Sequence, residues 1–536
     1  MTTPTWRRLT TTVVAGVAAL TLVAGCGKPV TDTATSAGAP VAQTDQGTAA
    51  GSPDAAAAPA APAAGTAADP TNATAATAGK AAAAAGGVAA APEKNNKAPG
   101  TTGKAAKPAD AGKPAAGVAP AAVGTGQTTS SSAAAVQNLV SGNRIFGGNA
   151  PCKPATLSEV PIGNVSTLSG VLGELFGPVV NALNVFVAAT NACGGLNGHK
   201  IHMYFDDDQG DPSTAATKVQ NMIQDKKILA FVGNIEVLTI DAVAPIIRRT
   251  GIPIIGSDIT NSTWFTNPLM FPQGAPQQSL AYGFLYGAKN YFHVKNVGLF
   301  YCIEVPRSCT DTYNAFKDLA PKMGLVDKVD AQVSLTAPSF VQQCLQMKNA
   351  GVEAVALNMD AASMKRIGRS CEQVGFFPKV LGHPLGVGNE KQFLGSKWLG
   401  NTYIPLNVFG WMADSTPAEK YYQAQVAKFD PGFTTGGAAS LGWTAGAMLV
   451  AASAGLSPDK PTTQQLLDTL WQFKGQKFTE LGGLTGPRTF GKDQNPRVPY
   501  CLFSAVSSDD DSGWKAVTHS PVCTDMVAAN DPQAKR

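Results

Sequence analysis

Apolar and polar positions alternate in two rhythms over most of the chain. Pro161-Ile162-Gly163-Asn164-Val165 is a short apolar run, followed by Leu175, Phe176, Val179, Val180, Leu183, Phe186 and Val187 at helical spacing, closed by Gly194-Gly195. This predicts strand, loop, helix. Ile201 to Phe205 predicts the next strand, and Asp211-Pro212 supplies an N-cap and a first-turn proline for a helix burying Val219, Met222 and Ile223. Strand Ile228 to Val232, a helix through Val243, Ile246 and Ile247, and strand Ile252 to Ile255 continue the series. Strands alternating with helices predict a mainly parallel sheet covered on both faces.

The pattern restarts near Gln277, with a helix through Leu280 and Leu285 and then strand Val297 to Tyr301 and helix Tyr313 to Met323. Strands Ala331 to Leu335, Ala354 to Leu357 and Lys379 to Leu381 follow, separated by helices Pro338 to Asn349 and Ala361 to Val374. Helices Ala418 to Phe429, Ala439 to Ala454 and Thr463 to Phe473 and closing strands around Tyr500 to Ala505 complete the chain. Two such α/β units facing each other make a cleft at the carboxyl ends of their strands, where sheets of this kind hold ligands.

Composition confines this reading to one part of the chain. No aromatic residue lies between Gly27 and Ile145, a stretch of Ala, Gly, Pro and Thr with too little apolar surface to offset backbone ordering. It reads as a disordered linker, so the folded domain is expected over 146–536. From Phe146 onward basic and acidic residues balance at 31 each. That removes the basic face a nucleic-acid binder needs.

Met1 to Cys26 has Arg7-Arg8, an apolar run from Val13 to Ala24, and Val23-Ala24-Gly25-Cys26. The run is too short to span a bilayer and predicts a secretion signal. Its ending resembles the lipobox of bacterial lipoproteins, which implies lipidation at Cys26 and localisation at the cell membrane on the extracytoplasmic face. An ordinary cleaved signal is the alternative. Beyond Cys26 there are eight cysteines, an even number that suggests disulfides in an exported chain. Sequence does not fix the connectivity. The pairing expected is sequential: Cys152 with Cys193, Cys302 with Cys309, Cys344 with Cys371 and Cys501 with Cys523. No Cys-x-x-Cys pair occurs and the five histidines are not spaced with the cysteines as zinc ligands would be, so neither a metal nor a cofactor is expected.

Several motifs stand in order: Leu168-Ser169-Gly170, Ala192-Cys193-Gly194-Gly195-Leu196-Asn197-Gly198, Asp206-Asp207-Asp208-Gln209-Gly210-Asp211-Pro212, Phe231-Val232-Gly233 and Gly251-Ile252-Pro253-Ile254-Ile255. Together they resemble the type I periplasmic binding proteins, most of all the branch that binds leucine, isoleucine and valine for ABC transporters. The resemblance covers roughly Val160 to Gly513. It implies two Rossmann-like α/β lobes joined by three hinge crossings, with lobe 1 over about 158–277 and 408–496 and lobe 2 over about 278–407 and 497–525. It also implies a monomer that delivers its solute to ABC permease subunits.

The same resemblance places the first-lobe pocket on Asn234 to Thr239 and Gly256 to Thr260, at helix starts whose free N–H groups favour a carboxylate. Candidate ligand-binding residues are Glu236, Val237, Thr239, Asp258, Thr260 and Asp360. Thr260 matches the family's threonine. Val237 stands in place of a carboxylate-binding serine, Asp258 in place of a small residue, Asp360 in place of a tyrosine, and Pro384 or Leu385 in place of the acid that pairs with an ammonium group. Glu236, Asp258 and Asp360 converging on the cleft would favour a cationic, polyhydroxylated or amide-bearing solute; capping helices or facing solvent is the other reading of these acids. Phe176 and Tyr282 are candidate aromatic walls.

The folded part contains no G-x-x-x-x-G-K loop, no G-x-S-x-G elbow and no H-E-x-x-H helix, so binding is favoured over catalysis. Asp206-Asp207-Asp208 reads as a strand end leading into the Asp211 cap, because consecutive strand residues point to opposite faces. The function expected is an extracytoplasmic solute-binding lipoprotein of an ABC-type importer, taking a small polar solute of amino-acid type or related chemistry. The alternative is a ligand-sensing receptor lipoprotein signalling to a membrane partner.

Overall fold

The computed structural model describes residues 128–387, 390–393, 395–475, 480–508 and 513–534. The signal segment, Cys26 and most of the linker lie outside them. Two sheets organise the described residues. The first holds β1 (Leu157–Ser166), β2 (His199–Asp207), β3 (Ala230–Asn234), β4 (Ile254–Ser257) and β5 (Met270–Phe271) in the order β2-β1-β3-β4-β5, all parallel. Helices α2 (Gly170–Asn191), α3 (Pro212–Gln224) and α4 (Ile240–Thr250) connect its strands.

The local chemistry explains these boundaries. The Asp211 carboxylate accepts from the Thr214 N–H at 2.7 Å, capping α3 one residue before Pro212. Gly251 ends α4 at φ 73°, a left-handed conformation in which a side chain would be strained.

After α5 (Gln278–Tyr286), the second sheet begins with β6 (Asn296–Cys302), β7 (Val326–Val333), β8 (Ala354–Asn358), β9 (Lys379–Gly382) and β10 (Tyr403–Leu406), in the parallel order β7-β6-β8-β9-β10. Helices α6 (Pro306–Lys322), α7 (Val341–Asn349) and α8 (Ala361–Gln373) lie between these strands. The chain then returns to the first sheet with α9 (Pro417–Phe429), α10 (Gly437–Ala452) and α11 (Thr463–Leu470), of which α10 packs on α2 and β4.

A small antiparallel sheet of β11 (Lys474–Gly475), β12 (Arg488–Gly491) and β13 (Gln494–Arg497) precedes the last crossing. β14 (Tyr500–Ser507) then joins the second sheet antiparallel to β10, flanked by β15 (Trp514–Ala516) and β16 (Val522–Thr524). The chain therefore crosses between the two sheets three times, after β5, after β10 and after β13. Every residue of α10 is buried. The stretch Gly437–Gly455 is long and apolar enough to cross a membrane by composition alone, but it forms the core of this fold.

One difference from the sequence reading concerns the start of the ordered chain. Helix α1 (Thr128–Gly142) lies inside the stretch that composition assigned to the linker, and it packs against α10 and α11 with Val136 and Val140 buried. A chain without aromatics still buries aliphatic surface when Val136, Leu139 and Val140 recur at helical spacing. The four disulfides join Cys152 to Cys193, Cys302 to Cys309, Cys344 to Cys371 and Cys501 to Cys523.

Candidate functional site

The strand ends of both lobes face an open cleft of about 490 Å³, solvent-open space included. Lobe 1 contributes Leu172, Leu175 and Phe176 from the first turns of α2, with Val237 and Thr260 from the loops after β3 and β4. Lobe 2 contributes the Cys302–Cys309 disulfide, Val305, Leu335, Asn358, Met359, Asp360, His383 and Leu385. The wall is mostly apolar. A narrow side chamber shares Thr260, His383 and Leu385 with the main one and reaches Gln277 and Asn407 at the crossings and Gly437 at the start of α10.

Of the six ligand-binding candidates, Val237, Thr260 and Asp360 line the cleft. Glu236, Thr239 and Asp258 are buried behind it. The Thr239 hydroxyl donates to the Asp208 carboxylate at 2.5 Å, tying the start of α4 to the end of β2. Asp258 Oδ1 accepts from both the N–H (2.8 Å) and the hydroxyl (2.6 Å) of Thr260, which fixes that threonine at the cleft surface. Asp360 caps α8 by accepting from the Ser363 N–H at 3.0 Å and from its hydroxyl. The three acids therefore do not converge on the cleft: only Asp360 reaches it, and its carboxylate is already engaged. Leu385 lines the cleft where the resemblance put an acid, and Phe176 is an aromatic wall. Tyr282 instead packs with Tyr286 and Tyr500 beside the crossings.

Burial pushes the Glu236 carboxyl well above its ordinary range, and the neighbouring Asp208 and Asp258 add to the shift. Burial likewise pushes Asp258 up to about 6, opposed by its hydrogen bonds from Thr260. A carboxyl with a raised folded-state pKa stabilises the fold below its unfolded pKa and loses that contribution as pH rises through the folded value. For Asp258 that window runs from 3.8 to about 6. Glu236 Oε2 has no hydrogen-bond partner. Glu236→Gln removes the group that must ionise in this buried place, so its stability relative to the parent is expected to rise from about pH 4 to about pH 8. Urea unfolding across that range checks this, and a difference independent of pH would refute it.

Sequence reasoning missed a polar cluster at the floor of the cleft. Gln277 Nε2 lies 2.8 Å from Thr312 Oγ1, 3.4 Å from Asn358 Oδ1 and 3.3 Å from His383 Nε2. Burial holds the His383 ring neutral, lowering its pKa to about 3. Asn358 ends β8 and His383 follows β9, so the rule that ligands gather at strand carboxyl ends was the available signal.

Two α/β lobes, three crossings and a cleft between strand ends define the type I periplasmic binding protein fold. The chain belongs to the periplasmic binding protein family, whose family model matches residues 159–511. Among solved structures it is similar to a possible leucine/isoleucine/valine-binding protein from Rhodopirellula baltica, at 15% identity and TM-score 0.57, covering 69% of this chain and 99% of that one. A branched-chain amino acid transporter substrate binding protein from Streptococcus pneumoniae, in complex with isoleucine, matches at 17% identity and TM-score 0.56, covering 68% and 100%. A fatty acid ABC transporter substrate-binding protein from Thermomonospora curvata matches at 16% identity and TM-score 0.56, covering 70% and 95%. No curated protein matches the chain.

Proposed function

We propose that this chain is an extracytoplasmic solute-binding lipoprotein of an ABC-type importer. It captures a small solute between its lobes and delivers it to permease subunits, acting as a monomer held at the membrane by a lipid on Cys26 and a long linker. The observation that carries the reading is the cleft itself, which is lined from both lobes and takes Val237 and Thr260 from the loops after β3 and β4. Family membership and likeness to transporter substrate-binding proteins support it. Within the cleft, Val237, Thr260 and Asp360 make contact with the solute, whereas Glu236, Thr239 and Asp258 hold the loops that present them.

The test is thermal unfolding of the full-length chain, disulfides intact, against amino acids, amides, polyamines, sugars, fatty acids and aromatic acids. A true ligand at 100 times its dissociation constant is expected to stabilise by about 2.7 kcal/mol. Silence across the panel counts against solute capture. Loss of membrane association in Cys26→Ala is the expected result for the anchor, and unchanged association would remove it.

A further inference from the structure

We propose that the cleft selects an uncharged solute whose head both donates and accepts hydrogen bonds, a primary amide or a hydroxyl carried on an apolar body. This deepens the solute-binding reading above and rests on it. The head site is the floor formed by Gln277, Asn358 and His383, which are 1%, 5% and 7% exposed. Gln277 comes from the first crossing and the other two from the carboxyl ends of neighbouring strands, so the site sits where both lobes and both chambers meet.

The hydrogen bonds at this floor do not close among themselves. His383 Nδ1 accepts from the Leu385 N–H at 3.2 Å, so the proton of the neutral ring is on Nε2, facing the Gln277 amide. The Thr312 hydroxyl has its own acceptor in the Ser308 carbonyl at 3.1 Å. Gln277 Oε1 and Asn358 Nδ2 are buried without partners. A proton on His383 Nε2 needs an acceptor on Gln277, which turns both amides over. Gln277 Oε1 then accepts from His383 Nε2, from Asn358 Nδ2 and from the Thr312 hydroxyl turned away from Ser308, and the Gln277 amide N–H and Asn358 Oδ1 become the unpaired donor and acceptor. Each such group costs about 1–3 kcal/mol when left unsatisfied. A solute head that carries both a donor and an acceptor supplies what this pair of amides lacks.

Charge excludes the alternatives. No Lys or Arg is among the described residues lining either chamber, and the one carboxylate there, Asp360, is occupied at the start of α8. A solute carboxylate on this floor would be buried without a cation. It would gain little from the loops after β3 and β4 either, because the Thr239 N–H already donates to the Glu236 carbonyl at 3.1 Å and the Thr260 N–H to Asp258 at 2.8 Å. A solute ammonium on this floor would meet only the Gln277 and Asn358 amides and the neutral His383 ring, since the Asp360 carboxylate stands apart from it at the start of α8. The aliphatic wall of Leu172, Leu175, Val237, Leu335, Met359 and Leu385 takes the apolar body.

The experiment is calorimetric titration of the full-length chain with five compounds of similar apolar body: isocaproamide, isoamyl alcohol, isocaproate, isoamylamine and leucine. The amide and the alcohol are expected to bind at least tenfold tighter than the three charged compounds, and Asn358→Leu to abolish that preference. Equal or tighter binding of isocaproate, isoamylamine or leucine overturns the head-group assignment while leaving solute capture standing. Failure of all five at millimolar concentration overturns the assignment and counts against solute capture as well. The comparison on the unaltered chain decides the question even where the variant does not fold.

Discussion

Replacing Cys152 and Cys193 together by serine is expected to lower stability by about 4 kcal/mol, measured by urea unfolding of the full-length chain. The bond joins residues 41 apart, and the loop it closes holds β1 and α2, the first strand–helix unit of lobe 1. In the chain-entropy account a longer loop costs the unfolded state more freedom, so this bond outweighs the others. Cys302–Cys309 spans only 7 residues and is worth about 2.5 kcal/mol on the same reasoning.

Their effects on binding run the other way. Cys302 and Cys309 line the cleft and hold the loop carrying Val305, whereas Cys152 and Cys193 do not line it. Alanine at Cys302 and Cys309 is expected to weaken solute binding more than serine at Cys152 and Cys193, despite its smaller effect on the entropy of the unfolded chain. An unchanged urea midpoint after the Cys152/Cys193 replacement would overturn the stability assignment.

Much of the fold was legible because its signals are local. Apolar runs of four or five residues marked β3, β4 and β8, helical spacing marked α2 and α4, and Asp211-Pro212 marked the start of α3. The small sheet was not legible: β11 is Lys474–Gly475 and β13 is Gln494–Arg497, too short and too polar to show a period-two pattern. Helix α1 was hidden by its low-complexity surroundings, since Val136 and Val140 carry its burial almost alone.

The site divides in the same way. The loops after β3 and β4 could be placed on the cleft from the order of motifs, and Val237 and Thr260 line it. Which way Glu236 and Asp258 turn depends on neighbours far away in sequence. Asp208, just past the end of β2, lies beside Glu236 and ties down Thr239. Gln277, Asn358 and His383 are separated by 81 and 106 residues from the first to the others, so no spacing rule brings them together.

Gly437→Ala is expected to weaken solute binding tenfold or more. The start of α10 belongs to lobe 1, yet the Gly437 N–H donates to the Val387 carbonyl of lobe 2 at 2.9 Å, and the Glu390 N–H donates to the Thr435 carbonyl at 2.9 Å. A methyl group at Gly437 would sit 2.2 Å from the Pro384 carbonyl oxygen and 2.9 Å from its carbon. Both atoms are backbone, so the overlap is relieved by moving the lobes apart, at a cost on the order of 1–3 kcal/mol to the closed arrangement. When the binding-competent fraction falls to about a tenth, the apparent dissociation constant rises about tenfold.

Arg307 gives the comparison. From α6 of lobe 2 it pairs with Asp241 of lobe 1, Nη2 to Oδ2 at 2.9 Å and Nη1 to Oδ1 at 3.0 Å, and its Nη1 also donates to Asn261 Oδ1 at 3.1 Å. Both charged side chains are about half exposed, so Arg307→Ala is expected to weaken binding only about two- to fivefold, and less at high salt. The Gly437 effect is steric and is expected to be independent of salt. Titration of both variants with the same solute at low and high salt separates the two contacts. An unchanged dissociation constant for Gly437→Ala would show that this contact does not limit closure, and an equal loss of stability without solute would assign it to the fold instead.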